Sequence, residues 1–349
     1  MASTILIHIG TPKTGTSSIQ RALSEADATG AIRPVCVPTA SGRIDRSVLA
    51  SLYGSYDRLP RFVRSRYAPD DPRLAEIQRE CRRGLLEALR GSDAAVLSSE
   101  LLAPLAVDEI ERLRSELVEA GALTFHIVLY VRDPADYYLS WTQQRLKASH
   151  RPMDPVEFRY PFRDFTVAWE QCFPGRVIVR RFARDPDFDV VGDFSGVLEE
   201  HLGVSLPPIP SRQNESLSAE GMEILQRYRS AFLADQDHVF VEETNRLLHF
   251  LAGSSELLAQ TRPELRPEIA SWIRFHHRDD VAYLRDRYGV DLAEEGGGEP
   301  TLTNPPAAPA DGFWRVADLV TRVDDEVALS LLLHYVRQLT RPAGAGGST

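Results

Sequence analysis

The sequence predicts an α/β protein in which a parallel β-sheet is flanked by helices. Short apolar runs alternate with segments whose apolar residues recur at helical spacing along the first 210 residues. Two of the runs, residues 5–9 and 125–131, are apolar almost throughout, which is typical of strands buried on both faces of a parallel sheet. Repeated alternation of this kind implies parallel strands connected by helices.

The predicted elements follow a regular order up to residue 210. The apolar runs predict strands over residues 5–9, 35–38, 94–98, 125–131 and 176–182. Helical periodicity predicts helices that reach residue 26 from the first loop and that cover residues 73–90, 107–121, 134–148, 162–173 and 189–202.

The pattern changes after a proline-rich stretch at residues 207–210. Helices without intervening strands are predicted over residues 218–236, 239–252, 264–288 and 313–340. We therefore expect an α/β core over residues 1–210, a helical part packed on that core over residues 211–341, and a disordered tail over residues 342–349.

The most informative stretch joins the first strand to the first helix. Gly10 ends the strand, and a loop rich in glycine and hydroxyl residues carries a lone lysine, Lys13. Such a loop lets backbone N–H groups approach an anion, and the helix N-terminus adds its positive end. The spacing of Gly10 and Gly15 matches the P-loop pattern G-x-x-x-x-G-K-[ST], but Thr16 stands where that pattern has lysine.

Residues 12–18 read P-K-T-G-T-S-S. This stretch resembles the loop of sulfotransferases that use 3′-phosphoadenosine-5′-phosphosulfate (PAPS), where it holds the 5′-phosphosulfate. The resemblance implies that the cofactor is bound by Pro12, Lys13, Thr14, Gly15, Thr16, Ser17 and Ser18. The alternative, an ordinary strand-to-helix turn, is disfavoured because a buried strand, a lone lysine and four hydroxyl residues coincide.

A second motif follows the strand at residues 125–131. Arg132 leaves the carboxyl end of that strand, Asp133 and Pro134 suit the start of a helix, and Ser140 lies about two turns further on. The stretch matches the pattern R-[ND]-P-x-x-x-x-x-S of the same family. The resemblance implies that Arg132 and Ser140 bind the 3′-phosphate of PAPS, and a guanidinium suits such a group. The resemblance to this family is close over residues 4–26 and 124–147 only.

Glu100 is the candidate general base. It follows Ser98 and Ser99 at the carboxyl end of the third predicted strand, the sheet edge where ligands bind in open α/β folds. The alternative is a serine-capped turn with a solvated glutamate. Many members of the family place the base a few turns after the phosphate loop, and this chain departs from that pattern.

Two further segments carry open interpretations. Arg212 stands where the family often has a polar element near the cofactor, so the resemblance implies a role in cofactor binding, whereas Ser218 suits an N-cap. Residues 39–72 are either a lid over the acceptor or a surface loop with a short helix.

Composition limits the partners and the compartment. The 349 residues are 43 % hydrophobic and 26 % charged, and the net charge of −10 argues against nucleic acid or an anionic membrane as the main partner. Cys36, Cys81 and Cys172 are widely spaced, which favours reduced thiols. With no apolar run that could span a bilayer and only four residues before the first strand, we expect a cytoplasmic protein.

No group of His and Cys residues has the spacing of metal ligands, so we expect no metal cofactor.

The function predicted from these motifs is PAPS-dependent sulfuryl transfer of the bacterial, cytosolic type. Lys13 would stabilise the leaving phosphate, and the acceptor would be a hydroxyl or amine of a small molecule or glycan. The resemblance implies the P-loop-like fold that this family shares with nucleotide kinases. Two alternatives remain, an ATP- and magnesium-dependent small-molecule kinase and a nucleotide sensor without catalytic activity. The oligomeric state is left open.

Overall fold

A computed structural model gives the fold. It describes residues 3–28, 34–35, 46–59, 61–64, 66–90, 94–183, 185, 187–207, 217–254, 259–292 and 304–340. Cys36, Arg212 and the predicted disordered tail lie outside the described residues.

One sheet of five strands organises the first part of the chain. The strands are β1 (Thr4–Gly10), β2 (Pro34–Val35), β3 (Ala94–Ser98), β4 (Thr124–Val131) and β5 (Val177–Arg181). They lie in the order β2-β3-β1-β4-β5, and every neighbouring pair is parallel. The predicted α/β class, a parallel sheet flanked by helices, is confirmed.

Fourteen α-helices are present in the described residues. In chain order they are α1 (Thr16–Ala28), α2 (Arg46–Tyr53), α3 (Arg61–Arg64), α4 (Pro72–Arg90), α5 (Val107–Glu119), α6 (Pro134–Leu146), α7 (Phe162–Cys172), α8 (Val190–Leu202), α9 (Ala219–Phe232), α10 (Glu242–Gly253), α11 (Pro267–His276), α12 (Arg278–Tyr288), α13 (Val316–Leu319) and α14 (Asp325–Thr340).

The chain divides into two compact units. The first comprises Met1–Asp133, Pro161–Ser211 and Asp279–Glu294, and it contains the whole sheet. The second comprises Pro134–Tyr160, Arg212–Arg278 and Glu295–Thr349. This division differs from the expected boundary at residue 210, because α6 groups with the C-terminal helices and most of α12 groups with the sheet.

Strand β1 lies at the centre of the first unit. Its residues from Ile5 to Gly10 are all buried, as expected for a parallel strand covered on both faces. Helices α1 and α8 pack on one face, where Ile19 and Leu23 join Phe194 and Leu198 around Leu6. This packing places the start of α1, and therefore the loop before it, at the carboxyl edge of the sheet.

The described part of residues 39–72 is largely helical. Helix α2 packs against α4 and α5, with Leu49 and Tyr53 buried. The backbone N–H of Ser55 donates to Glu109 Oε1 at 2.7 Å. A 3₁₀-helix at Tyr56–Arg58 and α3 follow. Residues 46–59 are thus packed within the first unit. Residues 39–45, 60 and 65, the other part of the lid hypothesis, lie outside the described residues.

The single helix predicted over residues 264–288 is wrong. Helix α11 ends at His276, and α12 begins at Arg278. The intervening His277 is buried, and its Nε2 accepts a hydrogen bond from the backbone N–H of Tyr160 at 2.8 Å, while Nδ1 lies 2.7 Å from the Ile273 carbonyl. These bonds turn the imidazole inward and interrupt the helix.

The single helix predicted over residues 313–340 is also wrong. The short helix α13 ends at Leu319, and α14 begins at Asp325. Between them the chain pairs with the residues before α11, since the Thr321 N–H donates to the Glu264 carbonyl at 2.8 Å. Asp324 then accepts from the Val327 N–H at 3.2 Å, which starts the second helix.

The second unit has an apolar core of its own. Leu146, Met222, Leu225, Leu247 and Leu331 come from four of its helices and are buried together. No helix among the described residues has both the length and the apolar composition needed to cross a membrane.

Candidate functional site

The loop between β1 and α1 has a left-handed backbone at three positions. Gly10 has φ 101°, Lys13 has φ 66° and Gly15 has φ 79°. Glycine adopts such angles readily, but they strain a residue with a side chain, and such strain is typically found at functional sites. The conformation of Lys13 therefore marks this loop as a candidate binding site.

Neighbouring residues leave no room for a side chain at Gly10 or at Gly15. A Cβ on Gly10 would lie 2.8 Å from the Cα of Glu100, and a Cβ on Gly15 would lie 2.7 Å from a methyl carbon of Val190 and 3.1 Å from the Phe182 ring. The loop is thus pressed between the segment after β3 and the segment after β5. A side chain at either position would displace it.

Hydrogen bonds to and from Thr11 shape the loop. Its backbone N–H and its hydroxyl both donate to the Tyr130 carbonyl near the end of β4, at 3.0 and 3.1 Å. Its own carbonyl accepts from the hydroxyls of Thr14 and Thr16, at 2.6 and 3.2 Å. Two of the four hydroxyl residues predicted to bind the cofactor therefore use their hydroxyl protons within the loop.

The backbone N–H groups at the start of α1 have no acceptor in the part of the chain that the structure describes. Among the described residues, no acceptor lies within hydrogen-bond distance of the N–H groups of Thr14, Gly15, Thr16 and Ser17. The first turn of α1 contains no acidic residue, so nothing there offsets the positive end of the helix dipole. Successive unpaired N–H groups at a helix N-terminus form an anion-binding site.

Arg132 brings a second positive charge to the loop. It follows β4, the strand next to β1, and only 8 % of its surface is exposed. Its Nη1 donates to the Lys13 carbonyl at 3.0 Å, and its guanidinium lies 5.3 Å from the centre of the Phe182 ring. The structure thus brings together Lys13 and Arg132, which are 119 residues apart in the sequence.

The sheet topology places this pair where a crevice is expected. Strands β1 and β4 are neighbours in the sheet. After β1 the chain continues to β2, on the β3 side of β1, whereas after β4 it continues to β5, on the opposite side. The loops after β1 and β4 therefore leave the sheet in opposite directions. In open α/β sheets, ligands bind at the carboxyl ends of such a strand pair.

Glu100 lies beside the same loop, on the segment after β3. It is half-buried and contacts the Gly10 position described above. Hydrogen bonds hold the end of β3, because Gln20 Nε2 on α1 donates to the Ser98 carbonyl at 3.2 Å and the Ser99 N–H donates to the His8 carbonyl at 3.0 Å. The candidate base and the β1–α1 loop thus share one packed edge.

A buried histidine lies under this edge. His8 Nδ1 is 2.8 Å from the Ser98 hydroxyl, and its ring packs against Tyr130 and Phe194. Complete burial lowers the pKa of His8 to about 3, so the imidazole is neutral at physiological pH. Its apolar surroundings stabilise the neutral form only.

Two predicted cofactor residues are not brought to the loop by these contacts. Ser140 is half-buried on α6 in the second unit, and its hydroxyl has no partner among the described residues. Arg212 lies outside the described residues. Their predicted roles stay predictions.

Sequence reasoning missed the residues that shape the site. Thr11 acts through its backbone groups and its hydroxyl, and its partner is a backbone carbonyl of Tyr130, 119 residues away, which no sequence pattern indicates. Phe182 directly follows β5 and continues the ordinary alternation of that strand, so its place beside the loop gives no sequence signal. His8 offered a signal, since a titratable residue within an apolar strand must be neutral or paired.

Comparisons of the chain with protein-family models, curated proteins and solved structures gave no match. Among the described residues, no three His, Cys, Asp or Glu side chains are grouped so that they could hold a metal ion.

His8 makes stability depend on pH. Its folded pKa of about 3 lies below the usual 6.5, so the unfolded chain binds the extra proton and stability falls as pH drops below about 6.5. Between pH 7 and pH 5 this residue alone should cost about 2 kcal/mol of unfolding free energy.

Urea unfolding of the wild type and of His8→Gln at both pH values measures this contribution. The variant removes the titration, so its loss of stability between pH 7 and pH 5 should be smaller by that amount. Equal losses in the two proteins would show that His8 does not titrate on unfolding as its burial requires.

Proposed function

We propose that this protein is a PAPS-dependent sulfotransferase that acts on a hydroxyl or amine of a small molecule or glycan. The observation that carries the proposal is the loop between β1 and α1, where four backbone N–H groups without acceptors in the described chain lie beside Lys13 and the buried Arg132. This arrangement suits a ligand with a phosphate-like anionic end, and the motif resemblance names PAPS.

The residues present fit the 5′-phosphosulfate. Thr14 and Thr16 would bind through their backbone N–H groups, because their hydroxyl protons are donated to the Thr11 carbonyl. Ser17 and Ser18 would add hydroxyl donors, since their side chains have no partner in the described part of the chain. The strained backbone of Lys13 supports a ligand-binding role for that residue as well.

Arg132 would have two roles. Its bond to the Lys13 carbonyl holds the loop, and its charge lies at the carboxyl end of β4, where the resemblance assigns it to the 3′-phosphate. Its guanidinium lies against the Phe182 ring, and a guanidinium is the side-chain group best suited to bind a phosphate. Ser140 is proposed to assist it on the basis of the motif alone.

PAPS, when bound, supplies an activated sulfuryl group whose leaving group is a phosphate. Lys13 and the loop N–H groups stabilise the negative charge that develops on that phosphate as the S–O bond to it breaks. Glu100 takes the proton of the acceptor as the new bond to sulfur forms. Its position beside Gly10, at the edge that holds the loop, supports this assignment.

Nucleotide binding and sulfuryl transfer test the proposal. We expect 3′-phosphoadenosine-5′-phosphate to raise the melting temperature more than ATP with magnesium does. We also expect radiolabelled sulfate to pass from PAPS to a member of a hydroxyl and amine acceptor panel, with activity retained in EDTA. Stabilisation by ATP only with magnesium would favour the kinase, and nucleotide binding without transfer to any acceptor would favour the sensor.

The variant Lys13→Gly removes the ammonium charge of Lys13 and keeps the left-handed backbone conformation at this position. Glycine suits φ 66°, so we expect a stability gain of roughly 1 kcal/mol, together with a rate loss that corresponds to about 3 kcal/mol of barrier. Thermal unfolding and sulfuryl transfer at saturating PAPS measure the two effects. A variant that is more stable and keeps the wild-type rate would remove Lys13 from the reaction.

Glu100→Gln should keep nucleotide affinity and slow the chemical step by roughly 10²–10⁴-fold, because glutamine cannot accept the proton. Single-turnover transfer and calorimetric titration with 3′-phosphoadenosine-5′-phosphate measure the rate and the affinity. The matched control is Glu87→Gln, an exposed glutamate on α4 that should change neither. An unchanged rate in Glu100→Gln would leave this residue as part of a solvated turn.

A further inference from the structure

Helix α14 exposes a continuous row of aliphatic side chains. Its members, called the α14 stripe from here on, are 40 to 60 % exposed. They are Leu329, Leu332, Leu333, Val336 and Leu339. Single exposed leucines are ordinary, but a contiguous apolar patch of a few hundred Å² indicates an interaction site.

The opposite side of α14 already has its partners in the second unit. Leu331 is fully buried, and the Tyr335 ring lies 5.2 Å from the Phe250 ring of α10. The helix also packs against α9. The stripe is therefore not the core-facing side of the helix, and nothing in the described part of the chain covers it.

The spacing of the stripe suits another helix as its partner. Leu329, Leu332, Val336 and Leu339 follow one another at intervals of three, four and three residues. This is the 3.5-residue repeat of a two-stranded coiled coil, in which each side chain packs between residues of the facing helix. Leu333 lies beside this row and adds apolar surface along one flank of it.

We propose that the α14 stripe binds the α14 stripe of a second copy of this chain in an antiparallel, two-fold symmetric pair. The charges of the helix favour this occupant. The first turn carries Asp325 and Glu326, and the last turn carries Arg337. Antiparallel pairing puts the acidic end of each helix near the basic end of the other and opposes the two helix dipoles, whereas parallel pairing would bring like charges together.

The register follows from placing the two-fold axis between Leu332 and Leu333. Leu329 of one copy then lies opposite Val336 of the other. Glu326 and Arg337 project on the same flank of the stripe, and in this register they come within about 3 Å of each other along the helix axis. Both are exposed, and neither has an ion-pair partner among the described residues.

The size of the stripe suits a reversible dimer. Each copy contributes five partly exposed aliphatic side chains, and small interfaces, below roughly 1,200 Å² of total buried surface, are typical of transient complexes. An anionic membrane is a poorer occupant, since α14 carries a single arginine and the whole chain has a net charge of −10. This proposal is independent of the proposed sulfuryl transfer.

Sedimentation velocity of the full chain between about 1 and 100 μM, a span that detects micromolar dissociation constants, tests self-association. The wild type should shift from monomer to dimer with concentration. Leu333→Glu should weaken the dimer at least tenfold, whereas the matched control Leu123→Glu, at an exposed leucine of the first unit, should leave it unchanged. Circular dichroism checks that both variants are folded.

Charge reversal tests the antiparallel orientation. Glu326→Arg should weaken the dimer because it places two arginines together, and adding Arg337→Glu should restore it. Disulfide crosslinking gives a second readout, since Leu333→Cys lies near the axis and should crosslink, whereas Leu339→Cys residues would be about 20 Å apart and should not.

Three outcomes would overturn the proposal. A wild type that stays monomeric at every concentration excludes the second copy, whether or not the chain then binds vesicles of anionic lipid. A dimer that survives Leu333→Glu uses another surface. Efficient crosslinking at Leu339→Cys means parallel pairing.

Discussion

Close packing between the β1–α1 loop and the ends of its neighbouring strands is the constraint on which the rest of the candidate site depends. Glu100 after β3 leaves no room for a side chain at Gly10, Phe182 after β5 crowds one at Gly15, and Thr11 is bonded to the Tyr130 carbonyl of β4. With three strand ends fixed against it, the loop has little freedom to relax. It can therefore keep a strained residue at its centre and leave its N–H groups without acceptors from the described chain.

The same contacts link stability to the proposed chemistry. The loop hydroxyls of Thr14 and Thr16 stabilise its shape, and the charge of Arg132 acts both on that shape and on any bound anion. His8 lies beneath the edge, neutral because it is buried, and joins β1 to the end of β3. A ligand would thus meet a site that is formed before binding, so that little binding energy is lost in ordering it.

The sheet was largely predictable because apolar runs determine where strands lie. The third strand was predicted at residues 94–98, where β3 is observed. The two incorrect helices failed because their ends depend on distant partners, the Tyr160 backbone for His277 and the chain near residue 264 for the break before α14. The motifs pointed to Lys13 and Arg132, which the structure joins through the Lys13 carbonyl, while their roles at a ligand stay predictions. The role of Thr11 was not predictable, since its hydroxyl and its N–H donate to a backbone carbonyl of a distant strand.

Residue-resolved amide NMR tests the central claim most directly, namely that the loop N–H groups hold the anionic end of a 3′-phosphorylated nucleotide. On titration with 3′-phosphoadenosine-5′-phosphate, the amide resonances of Thr14, Gly15, Thr16 and Ser17 should move together and their exchange with solvent should slow. Adenosine, which lacks phosphate, should leave these resonances in place. Binding of the nucleotide with unchanged loop amides, or equal shifts with adenosine, would contradict the account.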